Sequence, residues 1–337
     1  MKRYVMIKTK WIYCTVLLIL CCVAFSSCAK KEHHRVYRVG ILSGLNNFAA
    51  IGDAFKQKMT SMGYVEGKDI VYDFQKTNFE MDKEKQILKK FVADKVDLIF
   101  GFNTEVALEA KAATQGTDIP VIFAMGIIEG SNLINSVQAP GGNITGVRYP
   151  GVDFALKRFE ILREMLPEAR RIWIPYQKDY PAAAYELQAL RPVAASSGVT
   201  LIEFPADNLT HLQTELENRS KSGDIGFDAV LYIPESLSTT KAAFEIIAGF
   251  TRERKIPVGG TTILSGDYGT LFSVSISSSN VGELAAYLAD KVIKGVKAGT
   301  IPVISPEPYL IINYKVAKEL GLTVPDGLLH RANEIIR

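Results

Sequence analysis

From Val36 onward, short apolar and β-branched runs alternate with longer stretches whose apolar residues recur at helical spacing. Residues 36–42 form the first run, ending in Ser43-Gly44. Residues 48–62 follow as an amphipathic helix that Gly63 stops. The same alternation predicts a strand at 70–74, a helix at 81–93, a strand at 96–100, a helix at 104–113 and a strand at 121–124. After 139–147 it restarts with strand 171–174, helix 180–196, strand 200–204, helix 209–221, strand 229–233, helix 239–252 and a strand from Ile256. Strands that are apolar along their whole length need cover on both faces. This order therefore predicts an α/β fold built on parallel sheets.

The restart repeats local detail. Val96-Asp97-Leu98-Ile99-Phe100, a helix and then Asp118-Ile119-Pro120-Val121 are echoed by Phe227-Asp228-Ala229-Val230-Leu231, a helix and then Lys255-Ile256-Pro257-Val258. Two copies of one unit imply two similar lobes. In open parallel sheets ligands bind beyond the carboxyl ends of the strands, so two facing lobes would share one cleft. The joining segment 139–147 carries Pro140-Gly141-Gly142, a turn expected to act as the hinge, with Pro140, Gly141 and Gly142 as its residues. Residues 273–279 lead into a helix at 281–294, and 301–308 precede a last strand at 309–312.

The first residues change the setting of this fold. Lys2, Arg3, Lys8 and Lys10 precede an apolar run that closes on Phe25-Ser26-Ser27-Cys28. That is the pattern of a secretory signal peptide over 1–27, with Cys28 placed for lipidation and 28–35 as a polar tether. The cysteines, Cys14, Cys21, Cys22 and Cys28, all lie there, so the mature body has neither a disulfide nor a thiol nucleophile. The charge balance shifts as well. Of 39 Lys and Arg, four lie in 1–27, leaving 35 against 36 Asp and Glu, and such a balance gives no pull toward nucleic acid.

Several stretches then become familiar: Gly63-Tyr64-Val65-Glu66-Gly67-Lys68-Asp69, Phe91-Val92-Ala93-Asp94-Lys95-Val96-Asp97-Leu98-Ile99, Ile119-Pro120-Val121-Ile122-Phe123-Ala124, Pro140-Gly141-Gly142-Asn143-Ile144-Thr145-Gly146-Val147 and Lys255-Ile256-Pro257-Val258. They resemble the ABC-transporter substrate-binding lipoproteins whose best-known members bind tryptophan and other aromatic amino acids. The resemblance implies a type I periplasmic-binding-protein fold, α/β with two Rossmann-like lobes of parallel strands joined by three crossovers. It implies a monomer outside the cytoplasmic membrane, without cofactor or metal, that hands its solute to an ABC permease served by a separate cytoplasmic ATPase. The expected boundaries are 36–147 plus 279–303 for the N-terminal lobe and 148–278 plus 304–337 for the C-terminal lobe.

The loops after the strands nominate the ligand site. In the first lobe these are Ser43, Asn46 and Asn47, then Asn103 and Thr104, then Met125 and Glu129. Asn103 and Thr104 cap a predicted helix whose free N–H groups suit a carboxylate. Where members of the resembled family place Thr-Asp-Pro, this chain has Ile127-Ile128-Glu129. In the second lobe the nominees are Tyr176 and Tyr180, Glu235 and Ser236, and Thr261 and Thr262. Tyrosine stacks on a flat ligand and still offers a hydroxyl. A carboxylate in a closed cleft needs a cation, which makes Glu235 the first expected ammonium partner and Glu129 the second. Trp173, inside a strand, is expected in the core.

An enzyme fits less well. The chain has no G-x-G-x-x-G after the first strand, no G-x-S-x-G and no H-E-x-x-H, and His211 and His330 do not follow strands of the expected cleft. A hydrolase using a cleft carboxylate is the remaining enzymatic alternative. A lipoprotein that presents its closed form to a membrane sensor is the other alternative, with the same fold and a different partner.

Overall fold

The computed structural model describes residues 35–44, 49–77, 80–233, 235, 240–261 and 269–337. In the first sheet lie β1 (Tyr37–Ser43), β2 (Ile70–Lys76), β3 (Leu98–Phe102), β4 (Val121–Gly126) and β5 (Ile144–Arg148). Their order is β2-β1-β3-β4-β5, and every neighbouring pair is parallel. Helices α1 (Ala49–Ser61), α2 (Met81–Ala93) and α3 (Thr104–Ala113) connect them.

Adjacent side chains on β1 show why the strands carry no polar alternation. Ile41 packs with Ile51 and Phe55 of α1, whereas Leu42 packs with Phe91 of α2 and Val106 of α3. Both faces are covered, and each such buried side chain contributes about 1.5–3 kcal/mol.

The second sheet holds β6 (Arg171–Gln177), β7 (Thr200–Ala206), β8 (Ala229–Leu231), β9 (Val258–Thr261), β10 (Thr270–Ser275), β11 (Tyr309–Asn313) and β12 (Glu334–Ile336), in the order β12-β11-β10-β9-β8-β6-β7. All its pairs are parallel except β10 with β11, a departure from the wholly parallel sheet that the sequence pattern predicts. Its helices include α4 (Gly151–Met165), α5 (Pro181–Ser196), α6 (Leu209–Ser220) and α7 (Lys241–Glu253). Ile172 and Ile174 of β6 face α4 and α5, and Trp173 faces α6 and α7. Trp173 is fully buried and stacks on Phe227 at 5.2 Å, the core position expected of it.

After β10 the chain enters α8 (Ser278–Ile293), whose Val281, Ala285 and Ala289 pack with α1 in the first lobe. It then returns to β11, α9 (Tyr314–Glu319), α10 (Asp326–Arg331) and β12 in the second. The first and third passages are tied together where they run. The Arg148 N–H donates to the Ile304 carbonyl and the Ile304 N–H to the Gly146 carbonyl, both at 2.9 Å.

The expected hinge residues lie elsewhere. Pro140, Gly141 and Gly142 precede β5, where the Gly141 N–H donates to the Gly299 carbonyl at 3.0 Å. That is the opposite end of β5 from the passage into α4. Residues 144–148 form a fifth strand, because Ile144 and Val147 are apolar enough to be buried beside β4. The passage between the lobes falls instead on Tyr149 and Pro150.

Candidate functional site

The carboxyl ends of both sheets meet, and the residues there divide by chemistry. At the end of β3, Asn103 adopts φ +85°, which asparagine tolerates better than most residues. Its Oδ1 accepts the Val106 N–H at 3.1 Å and so caps α3. Its Nδ2 is buried and has no hydrogen-bond partner among the described residues. The amide rests on Gly44, where a Cβ would meet it at 2.8 Å, so only glycine leaves it room. The Thr104 hydroxyl oxygen accepts the Ile127 N–H at 3.0 Å, which joins the start of α3 to the loop after β4.

That loop binds the lobes to each other. Met125, at φ +58°, packs against the cores of both lobes. Ile127 turns to the second lobe's core and Ile128 to the first. Glu129 pairs with Arg148 at 2.9 Å, and the same guanidinium donates to Asp153 at 2.7 Å and to Ser305 at 2.6 Å. One arginine thus links the β4 loop, the first residues of α4 and the third passage between lobes. The Ile127-Ile128-Glu129 sequence serves this junction, and Glu129 already has a cation.

The second lobe brings acids and phenols. Tyr180 precedes α5 with Pro181 at the first helical position. Burial raises its phenol, and so do the nearby charges of Glu105, in the first lobe, and of Glu235 and Glu186. Glu235, beyond β8, is buried, and its charge also reaches the buried Tyr232. Arg158 of α4 is fully buried. Its Nε donates to the Val274 carbonyl at 3.0 Å and its Nη2 to the same carbonyl and to the Tyr149 hydroxyl, which holds the first passage against the second.

Beside it stands Glu186 of α5, 1% exposed. Neither carboxyl oxygen has a hydrogen-bond partner among the described residues. Burial pushes its pKa up to about 8, opposed by Arg158 and reinforced by Glu129 and Glu235. Sequence reading passed over Glu186 as one more helical acid. One signal was available, since it falls on the apolar stripe of α5 between Ala182 or Ala183 and Leu190.

Of the expected residues, Ser43, Asn103, Thr104, Met125, Glu129 and Glu235 lie at or beyond the carboxyl ends of β1, β3, β4 and β8, and Tyr180 lies between β6 and α5. Ser43 is buried at the end of β1. Tyr176 lies near the carboxyl end of β6, packed on the second lobe's core and in the field of the Arg191–Glu203 pair of α5 and β7. Thr261 ends β9 opposite Ser273. Asn46, Asn47, Ser236, Thr262 and Cys28 lie outside the described residues. Among the described residues no three His, Cys, Asp or Glu side chains group as a metal site.

Comparison with known proteins fits this geometry. A tyrosine-binding protein of Clostridioides difficile (strain R20291) is 29% identical over 271 residues, spanning 80% of this chain and 75% of that protein. A Streptococcus pneumoniae ABC domain solved in complex with L-Trp superposes with a TM-score of 0.76 at 24% identity, over 90% of this chain and all of that one. The ligand-free, open structure of a Clostridium difficile substrate-binding protein with adhesive properties gives a TM-score of 0.71 at 23% identity, over 88% of this chain and 98% of that one. At those identities the two structures establish the fold. Residues 42–336 match the family described as ABC transporter substrate binding protein, so this chain belongs to that family and is a substrate-binding protein of an ABC transporter.

Proposed function

We propose that this protein captures an aromatic amino acid between its lobes, outside the cytoplasmic membrane, and delivers it to a permease. The observation that carries the reading is the meeting of strand-end groups from both lobes, with Tyr180 of the second in the field of Glu105 of the first. The ligand carboxylate takes the free N–H groups at the start of α3 together with Asn103 Nδ2, while Tyr180 lies against its ring. Contacts from both lobes exist together only when the lobes are closed, so the ligand shifts the population toward closure. The lobes are joined by passages at Tyr149–Pro150, at Ile276–Ser277 and after Ile304, and these flex between them. They lie one residue or more beyond the expected 147/148 and 303/304 and ahead of the expected 278/279. Residues 1–27 direct export and Cys28 carries the lipid anchor of a monomeric body. The 29%-identical tyrosine-binding relative and the L-Trp complex of the pneumococcal protein support the choice of ligand class.

Thermal unfolding with L-Trp, L-Tyr and L-Phe tests this reading. A true ligand at a hundred times its Kd stabilises by about 2.7 kcal/mol and raises Tm measurably. Silence across all three, with no small molecule released from the purified protein on denaturation in a mass spectrometer, would remove the aromatic amino-acid reading.

A further inference from the structure

We propose that Glu186 receives the ligand's ammonium group and that it gives up a proton to do so. This deepens the reading above and rests on it. The two sequence-based choices for that role differ from Glu186 in their surroundings. Glu129 is held by Arg148 at 2.9 Å, and Glu235 follows β8 in a loop of its own. Glu186 is buried, and both of its oxygens lack a donor among the described residues.

Its neighbours come from several elements. From α4, Gly151 offers no side chain, and a Cβ there would stand 2.6 Å from Glu186 Oε1. Also from α4, Arg158 acts on Glu186 through its field without an ion pair, since no contact within 4.0 Å joins them among the described residues. A second, independent mismatch lies on that arginine, whose buried Nη1 has no acceptor among the described residues. From the first passage comes the Tyr149 phenol, from the β4 loop Glu129, from the β8 loop Glu235, and from the start of its own helix Tyr180. Tyr185, the residue before Glu186, packs over Gly130 of the first lobe, so this stretch of α5 lies where the lobes close.

A buried carboxyl without donors stays protonated, and neighbouring acids hold the proton more firmly. An arriving ammonium replaces that proton. The O–H bond of Glu186 breaks, the proton leaves to buffer, and the carboxylate accepts N–H bonds from the ligand. Below about pH 7, a unit under that carboxyl's pKa of about 8, each ligand bound would then release close to one proton. Affinity would rise by about tenfold per pH unit over pH 6–7.5, since the ionised fraction grows by that factor.

Isothermal titration calorimetry tests this with L-Tyr and L-Trp and with their deamino analogues, 3-(4-hydroxyphenyl)propionate and indole-3-propionate. Wild-type protein is titrated at pH 6.5 in two buffers of different ionisation enthalpy. The expected result is release of nearly one proton with the amino acids and none with the deamino acids. Glu186→Gln should weaken the amino acids about a hundredfold and change the deamino acids less than threefold. An affinity of the variant for the amino acids within threefold of wild type would overturn the proposal and leave the aromatic amino-acid reading standing, as would binding by wild type without proton release. If wild type binds neither the amino acids nor their analogues, that reading falls and this one with it. Should Glu186→Gln fail to fold, proton release in the wild type decides alone.

Discussion

At the end of β3 the buried polar atom without a partner is a donor, Asn103 Nδ2, whereas on α5 the atoms in that state are acceptors, the two oxygens of Glu186. Asn103 thus offers the junction an N–H group and Glu186 two carboxyl oxygens, while Glu129 Oε2 and Arg158 Nη1 are likewise buried without partners among the described residues. A free amino acid has the complementary layout, carboxylate at one end and ammonium at the other. The two sites also carry different costs. An unpaired amide forfeits about 1–3 kcal/mol, whereas a carboxyl limits its loss by keeping its proton. The lesson is that the donor side is fixed at all pH values, while the acceptor side is armed only when its proton leaves.

The sharpest way to break this contrast is at Arg158, the buried cation beside Glu186. Arg158→Met removes three hydrogen bonds and leaves the Val274 carbonyl and Tyr149 hydroxyl without their donor. Unfolding in urea should show a loss of about 4 kcal/mol. A loss under about 1 kcal/mol would mean that packing alone holds the passages together.

A smaller effect comes from Glu186 itself. Its folded pKa, about 8, lies above that of an unfolded glutamate, so the folded state binds the extra proton. The sign follows: wild-type stability falls as pH rises from about 5 to 8, by at most about 1.4 kcal/mol per unit, and levels off above that. Glu186→Gln has no such proton to lose. Its advantage over wild type should therefore widen by about 3–4 kcal/mol across that range, read from unfolding at pH 5, 6.5 and 8. Parallel curves would place the carboxyl in water.

The smallest effect on stability belongs to the donor side. Asn103→Gly accepts φ +85° without strain and costs a few tenths of a kcal/mol as a cap. Its Tm should stay close to wild type, while L-Trp binding in calorimetry weakens about tenfold. Unchanged binding would reduce Asn103 to a cap.

These residues also mark how far the sequence could be read. The cap at Asn103 was legible because a polar residue before a helical run has one local job, and that job is done within three residues. Strands 96–100 and 121–124 were legible because burial on both faces leaves an unbroken apolar run. Helix α4 went unread, and with it Arg158, whose charge interrupts an otherwise apolar stripe of Phe154, Ala155 and Leu162. Glu129 looked available from its place after β4, yet its partner Arg148 lies across the end of β5. Pro140-Gly141-Gly142 looked like a hinge because its turn chemistry is local, whereas its distance from the passage depends on where β5 docks.

By itself, then, the sequence determined the alternation of strands and helices and the family resemblance. Each of these is written in neighbouring residues, through periodicity, capping or spacing. Only the tertiary structure decided which acid is spoken for and which is buried without a donor. Glu129 and Glu186 are the same residue type, each followed by a glycine or preceded by a tyrosine in unremarked local sequence. What separates them is a guanidinium brought from β5 to one, and a glycine backbone brought from α4 to the other. Desolvation and pairing depend on groups far apart in the chain, so they appear only when the lobes are built.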